Sequence, residues 1–338
     1  MKAIQIITPG TVNIVELPVP SINADEVLVK IKYVGFCGSD LNTFAGKNPM
    51  VKFPIIPGHE IGGIIESVGE NVPDNLTIGS PCTVNPYTAC GNCPSCRNGR
   101  PNACQFNQTL GVQRNGAMCD YIAVHWTKVI ADATISPKDF CLVEPMSVGF
   151  HAVDRAKVSD LDTVMVIGCG MIGVGAIVRS VLRGAKVIAV DVDNEKLTLA
   201  RQLGATYTIN SKTDDVHSRL SEITHNAGVD VVIEAVGAAP TYQMAINEIA
   251  FTGRVVCIGY AKSEIAFETK YFVQKELDIR GSRNAMPNDF RAVMEYMKRG
   301  TCPKNELISG VFSPDQAQHA LEKWQENPGK VFRILIEF

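Results

Sequence analysis

From about Val164 the chain repeats one rhythm: a short apolar run, a turn, then a longer periodic stretch. The runs are TVMVIG, KVIAVD, YTIN, VDVVIEAVG and RVVCIGY; between them lie MIGVGAIVRSVLRGA, EKLTLARQLGA, VHSRLSEITHNAG and YQMAINEIAFTG. Short apolar runs bounded by turn residues read as strands, and longer amphipathic stretches as helices. Strict alternation of the two predicts βαβ units and a doubly wound parallel sheet, an α/β architecture.

The first turn of this array carries Gly168, Gly170 and Gly173 in G-x-G-x-x-G order, with Met171 and Ile172 between the last two. In such a loop the first glycine permits a tight turn. The second lets backbone amides approach a pyrophosphate, and the third lets helix and strand pack closely. The next strand ends at Asp191, about 20 residues on, where a carboxylate suits a ribose hydroxyl and repels a 2'-phosphate. NAD rather than NADP is the expected cofactor.

The first 140 or so residues follow another pattern. NIVELPVP, EVLVKIKYVGF, IGGIIESVGE, SPCTVNPY and CDYIAVHWTKVI are short strand-like segments separated by Gly, Pro, Asn and Asp, which predicts an all-β region. Beyond LDIRGSRN come an amphipathic segment, Asp289 to Arg299, a helical stretch, Pro314 to Asn327, and a strand-like VFRILIEF. The expected organisation is a β-rich domain over 1–145, a nucleotide-binding domain over 146–284, and a return to the first domain over 285–338.

The stretch ACGNCPSCRNGRPNAC places Cys90, Cys93, Cys96 and Cys104 close together. Its spacing departs from the ferredoxin pattern C-x2-C-x2-C-x3-C-P. The total of 11 cysteines is odd, and the others are scattered singly. Four thiolates on glycine- and proline-rich turns suit a closed, structural zinc site. Disulfides fit poorly, because MKAIQIITPGTVNIVEL lacks a signal-like apolar core and a cytoplasmic, reducing setting is expected. A formal net charge of -3 gives no general attraction for nucleic acid or an anionic membrane, and the expected partner is a small molecule.

A second group of donors lies in GFCGSDLNTFAG, PIIPGHEIGGII and CLVEPMSVGF. Cys37 offers a thiolate, His59 an imidazole, Glu60 and Glu144 carboxylates, a mixture suited to zinc with an open position. Read singly, Cys37 is more often a small buried hydrophobe than a ligand, and His59–Glu60 could be a turn and Glu144–Pro145 a strand end.

CGSD, GHE, the four-cysteine run, EP and the glycine loop, in this order over essentially the whole chain, resemble the zinc-dependent medium-chain dehydrogenase/reductase family. The resemblance implies a GroES-like catalytic domain and a Rossmann domain. It further implies that Cys37 and His59 bind a catalytic zinc, that Glu60 is a ligand or exchangeable neighbour, and that Ser39 starts a proton relay. Glu144 stands where the alcohol dehydrogenases have a cysteine, as in the polyol and threonine dehydrogenases. A secondary hydroxyl oxidised with hydride transfer to NAD follows, on a polyol or a sugar acid. LDIRGSRNAMPNDF resembles the segment that supplies a substrate-binding arginine in sorbitol dehydrogenases and related sugar-acid enzymes, which makes Arg283 the candidate and an L-galactonate-like hexonate the favoured substrate; a bridge between subunits or a bond to the nicotinamide phosphate is an equal alternative for Arg283. Threonine is the second choice, since threonine-type relatives carry a histidine where this chain has Asn42. Family members form homodimers or homotetramers.

Smaller expectations complete the reading. Phe44 and Lys47 border the pocket. His125 and Trp126 pack or meet an interface, and His217, His225 and His319 are solvated. Cys169, inside the glycine loop, is a candidate for alkylation. A zinc-knuckle binding protein would need a basic, aromatic surface; only Arg97 and Arg100 lie inside the cysteine run.

Overall fold

The computed structural model describes all residues, 1–338. The chain divides into two compact units, Met1–Pro145 with Met286–Phe338, and Met146–Ala285.

The first unit is built on a seven-stranded sheet. Its strands run in the order Gly310–Phe312, Ile334–Glu337, Glu26–Phe36, Glu60–Val68, Pro81–Val84 and Val129–Ala131, and Tyr121–His125 pairs with Glu26–Phe36 off this path. Glu26–Phe36 is the organising strand. Val27, Val29 and Ile31 alternate into the core, while Lys30 and Lys32 are on the opposite face. Around Gly35 it pairs Ile334–Glu337 on one side and Glu60–Val68 on the other.

The all-β expectation for this region is corrected: helices Gly38–Phe44, Pro94–Arg97 and Pro137–Phe140 interrupt it, and two of the expected strands differ. The CGSD motif opens a helix, Gly38–Phe44, because the Asp40 carboxylate reaches back to accept the Cys37 N–H at 2.8 Å, half of a capping box. CDYIAVHWTKVI is two strands split by a 3-10 turn, Trp126–Lys128, where the His125 ring accepts the Thr127 N–H at 3.3 Å and turns the chain. The strand expected in NIVELPVP stops at Glu16, before two prolines that have no N–H for a ladder.

The second unit holds a six-stranded parallel sheet in the order Tyr207–Asn210, Lys186–Asp191, Thr163–Ile167, Val229–Glu234, Ile249–Cys257 and Asp278–Gly281. The order reverses at Thr163–Ile167, the first strand, which is the doubly wound arrangement. Val164, Met165, Val166 and Ile167 are all buried, as a strand covered on both faces requires. No helix is long and apolar enough to cross a membrane.

Candidate functional site

Cys37 stands between the long strand and the helix Gly38–Phe44. His59 immediately precedes the neighbouring strand, which begins at Glu60. Asp40 joins the two loops: one carboxylate oxygen takes the Cys37 N–H and the other takes the Gly58 N–H at 3.4 Å. Gly58 has φ +96°, and a Cβ there would meet Val34 Cγ1 at 2.7 Å and Met118 Cγ at 2.8 Å, so the turn that presents His59 needs glycine. The donor atoms of Cys37, His59 and Glu60 then lie within 4.8 Å of one another.

Glu60 is fully buried opposite Gly35 in the ladder. A Cβ on Gly35 would come within 2.2 Å of Glu60 Oε2, so this glycine opens the space the carboxylate fills. Arg333, also buried, brings Nε to 3.0 Å from Glu60 Oε2 and donates from Nη1 to the Phe36 carbonyl at 2.7 Å. Burial would raise the Cys37 thiol, but the facing His59 outweighs it and brings Cys37 below its ordinary range. Burial would lower His59, but Cys37 outweighs it in turn and lifts the imidazole well up. Glu60 is raised well above the carboxylate range by burial, with Arg333 pulling the other way.

His59 Nδ1 and Glu60 Oε1 are buried and have no hydrogen-bond partner. Unpartnered buried polar atoms are rare and costly, and a thiolate, an imidazole and a carboxylate converging on one point fit a zinc ion. Ser39, in the first turn of the helix, also has a buried, unpartnered Oγ. Glu144 is outside the three-donor group. It lies in the first turn of the helix Val143–Ala156, which removes the strand-end alternative, and its Oε1 accepts the Tyr87 hydroxyl. Tyr87 is buried edge-on to Phe290, with ring centroids 6.4 Å apart; burial, then Glu144, pushes its hydroxyl pKa well up.

The four clustered cysteines form a separate group. Their sulfurs are 3.5 Å apart between Cys93 and Cys96, 3.5 Å between Cys90 and Cys104, and 3.8 Å between Cys93 and Cys104. Zn–S bonds of about 2.3 Å in a tetrahedron imply edges of roughly 3.8 Å, whereas a disulfide needs about 2.05 Å. Gly91 and Gly99, at φ +80° and +69°, make the turns that return the chain to this point. The group fits a closed four-thiolate zinc site.

In the second unit each fingerprint glycine has its own reason. Gly168 has φ +91°. A Cβ on Gly170 would meet nothing within 4 Å, which leaves its surface open to a ligand, while a Cβ on Gly173 would lie 1.8 Å from the Gly168 carbonyl oxygen. The helix starts at Met171, with Met171 buried and Ile172 partly exposed. Asp191 accepts N–H groups from Cys169 at 2.7 Å, Val192 at 2.7 Å and Asp193 at 3.0 Å, so it holds the glycine loop as well as its own turn. Such a loop at the switch point of a parallel sheet fits a dinucleotide. Arg283 follows the edge strand Asp278–Gly281 in this unit and is half-buried.

One smaller expectation changes. Cys169 is fully buried, and burial pushes its thiol far up, so it is shielded from alkylation. Phe44 belongs to the hydrophobic core, and Lys47 is exposed. His217, His225 and His319 are exposed, as expected, with His319 edge-on to Phe312 at a centroid distance of 6.3 Å and His217 paired with Glu248 at 3.1 Å. His125 is exposed and stacks on Trp126.

Sequence reasoning missed Tyr87, Arg333, Asp40 and Glu234. Glu234, buried at the end of its strand, uses Oε1 to take the Val236 N–H at 3.0 Å, the Gly237 N–H at 2.8 Å and the Thr241 hydroxyl at 2.8 Å. Asp40 was within reach, since it closes the CGSD motif.

Residues 23–135 match the alcohol dehydrogenase GroES-like domain, and residues 172–299 match the zinc-binding dehydrogenase domain. The chain is 34% identical to L-galactonate-5-dehydrogenase of Escherichia coli K12, over 87% of this chain and 86% of that one. It is 32% identical to sorbitol dehydrogenase of Bacillus subtilis 168, over 99% and 97%. Among solved structures, an alcohol dehydrogenase of E. coli CFT073 complexed with NADH superposes with a TM-score of 0.91 at 27% identity, covering 100% of this chain and 99% of that one. The chain belongs to the zinc-dependent medium-chain dehydrogenase/reductase family, with polyol and sugar-acid dehydrogenases among its relatives, and is an NAD(P)-dependent oxidoreductase.

Proposed function

We propose that this enzyme oxidises a secondary hydroxyl of a polyol or sugar acid to a ketone and passes the hydride to NAD, with an L-galactonate-like hexonate as the favoured substrate. The observation that carries the reading is the convergence of Cys37, His59 and Glu60 on one point with Glu144 held by Tyr87, a centre richer in carboxylate than a simple alcohol needs. Relatives named for L-galactonate and sorbitol support it.

Cys37, His59 and Glu60 would hold the catalytic zinc, with Glu144 as a further ligand or water-mediated neighbour; Cys90, Cys93, Cys96 and Cys104 would hold the structural one. Bound zinc supplies a Lewis acid that brings a hydroxyl pKa towards neutrality. Ser39 Oγ, buried and unpartnered, would accept the hydroxyl proton while giving up its own, as the first member of a proton relay. Bound NAD would supply the acceptor for the carbon-bound hydrogen and its electron pair, leaving the substrate carbon as a carbonyl. Gly168, Gly170, Met171, Ile172 and Gly173 receive the pyrophosphate, and Asp191 accepts the adenosine ribose hydroxyls, which favours NAD over NADP. Arg283 pairs with the substrate carboxylate through two parallel hydrogen bonds. The protein works in the cytoplasm as a homodimer or homotetramer.

The test is NADH formation with hexonates including L-galactonate, neutral polyols and L-threonine, each with and without added zinc. Zinc-dependent turnover on a hexonate is expected. Turnover confined to neutral polyols removes Arg283 from substrate binding, and turnover on threonine alone overturns the reading in favour of a threonine 3-dehydrogenase.

A further inference from the structure

The four-cysteine lobe is an excursion from a very short ribbon. Tyr87–Thr88 pairs antiparallel with Gln108–Thr109, in the register Tyr87 to Thr109 and Thr88 to Gln108. The lobe thiols flank both strands at the same end of this neck: Cys90 is three residues beyond Tyr87, and Cys104 is four before Gln108. The two arms are tied across the neck, because the Cys90 N–H and the Phe106 N–H both donate to Cys104 Sγ at 3.3 Å. A two-stranded ribbon is at best marginally stable alone, and this one has two residues per strand. Its register therefore depends on what closes it at either end.

At the far end of the neck is Tyr87. Its carbonyl accepts the Lys128 ammonium, its ring packs on Phe290, and its buried hydroxyl donates to Glu144 Oε1. Leu110 continues the ribbon by donating its N–H to the Pro86 carbonyl at 3.1 Å. One residue thus touches the ribbon that the cysteines close and the carboxylate beside the Cys37–His59–Glu60 group.

We propose that Tyr87 is a positioning residue through which the four-cysteine lobe sets the orientation of Glu144: the lobe closes a ribbon whose first residue grips that carboxylate. The proposal rests on reading Cys37, His59 and Glu60 as a metal centre. The cysteine lobe is then a staple that also acts on the working centre, without touching substrate.

The test uses the full chain loaded with zinc or cobalt, with metal release to a chromogenic chelator as the readout. Cobalt absorption separates the all-thiolate lobe from the mixed centre. Tyr87→Phe keeps the ring and the carbonyl contact and removes only the hydroxyl. It is expected to leave lobe release unchanged, to speed release from the centre about tenfold, and to lower kcat about tenfold with a smaller change in KM. Gly99→Ala strains a lobe turn held at φ +69° without removing a ligand. It is expected to speed release from the centre when Tyr87 is present and not in the Tyr87→Phe background, a double-mutant coupling. If Gly99→Ala leaves lobe metal untouched, Cys96→Ser takes its place in the cycle; if that chain does not fold, Tyr87→Phe alone decides.

Centre release and kcat within twofold of wild type in Tyr87→Phe overturn the proposal. So does a lobe effect on the centre that is absent, or equal in both backgrounds. A centre that takes up no metal sinks both the metal reading and the proposal, whereas normal metal uptake without turnover on any hydroxyl substrate sinks only the proposed reaction.

Discussion

Arg333, from the last segment of the chain, forms a buried ion pair with Glu60, Nε to Oε2 at 3.0 Å, against the backbone of the strand between them. Removing one member of a buried pair leaves the other charge uncompensated, typically a loss of about 3–5 kcal/mol. Arg333→Met is expected to destabilise the metal-free protein by roughly that amount in denaturant unfolding. Arg333→Lys keeps the charge but loses the planar fork that reaches Glu60 and the Phe36 carbonyl together, and falls between the two.

The two cysteine groups separate by variant. Cys37→Ser is expected to fold with an unchanged melting temperature while activity falls at least about 100-fold, because a ligand of the reacting centre is lost. Cys96→Ser is expected to lose one metal per chain and to melt several degrees lower, since a closed structural site contributes folding energy directly. Metal content and thermal melting of the two proteins, side by side, check the division.

Gly170 and Gly173 make opposite demands. Gly170→Ala adds a methyl group to open space, so the fold is expected to keep its stability while the KM for NAD rises about tenfold or more as the pyrophosphate is pushed away. Gly173→Ala drives a Cβ to 1.8 Å from the Gly168 oxygen and is expected to destabilise the second unit whether or not cofactor is added. Melting with and without NAD distinguishes the two effects.

Burial pushes the Cys82 thiol from its ordinary 9.0 up to about 12. The folded chain keeps this proton where the unfolded chain has lost it. The resulting stability is complete below pH 9.0 and is lost as pH rises towards about 12. In that window Cys82 accounts for a slope of about 1.4 kcal/mol per pH unit, and Cys82→Ala is expected to flatten the alkaline loss of stability by about that much. Denaturant midpoints between neutral pH and pH 11 measure it.

What the sequence discloses is what is local in it. The parallel sheet follows from alternating runs, and the glycine loop from a motif whose three positions each do separate work. The cysteine lobe follows from spacing. Cys37, His59 and Glu60 share a point because two ladder neighbours end side by side, which short motifs hint at but do not fix. Arg333 and Tyr87 carry no local signal at all: one arrives just before a strand, almost three hundred residues away from Phe36 in sequence, the other sits in an unremarkable VNPYTA. The helix at CGSD was hidden by Gly38, a poor helix former, and became possible through the Asp40 cap.

The Asp191 carboxylate has one further consequence. The residue we propose to discriminate between coenzymes is also the acceptor for three main-chain amides, one of them from the glycine loop itself. Coenzyme preference and loop architecture are therefore inherited together. A lineage that exchanged this acid for a basic residue to welcome a 2'-phosphate would lose the brace of its own cofactor cradle, and would have to rebuild the turn before the new preference could be used.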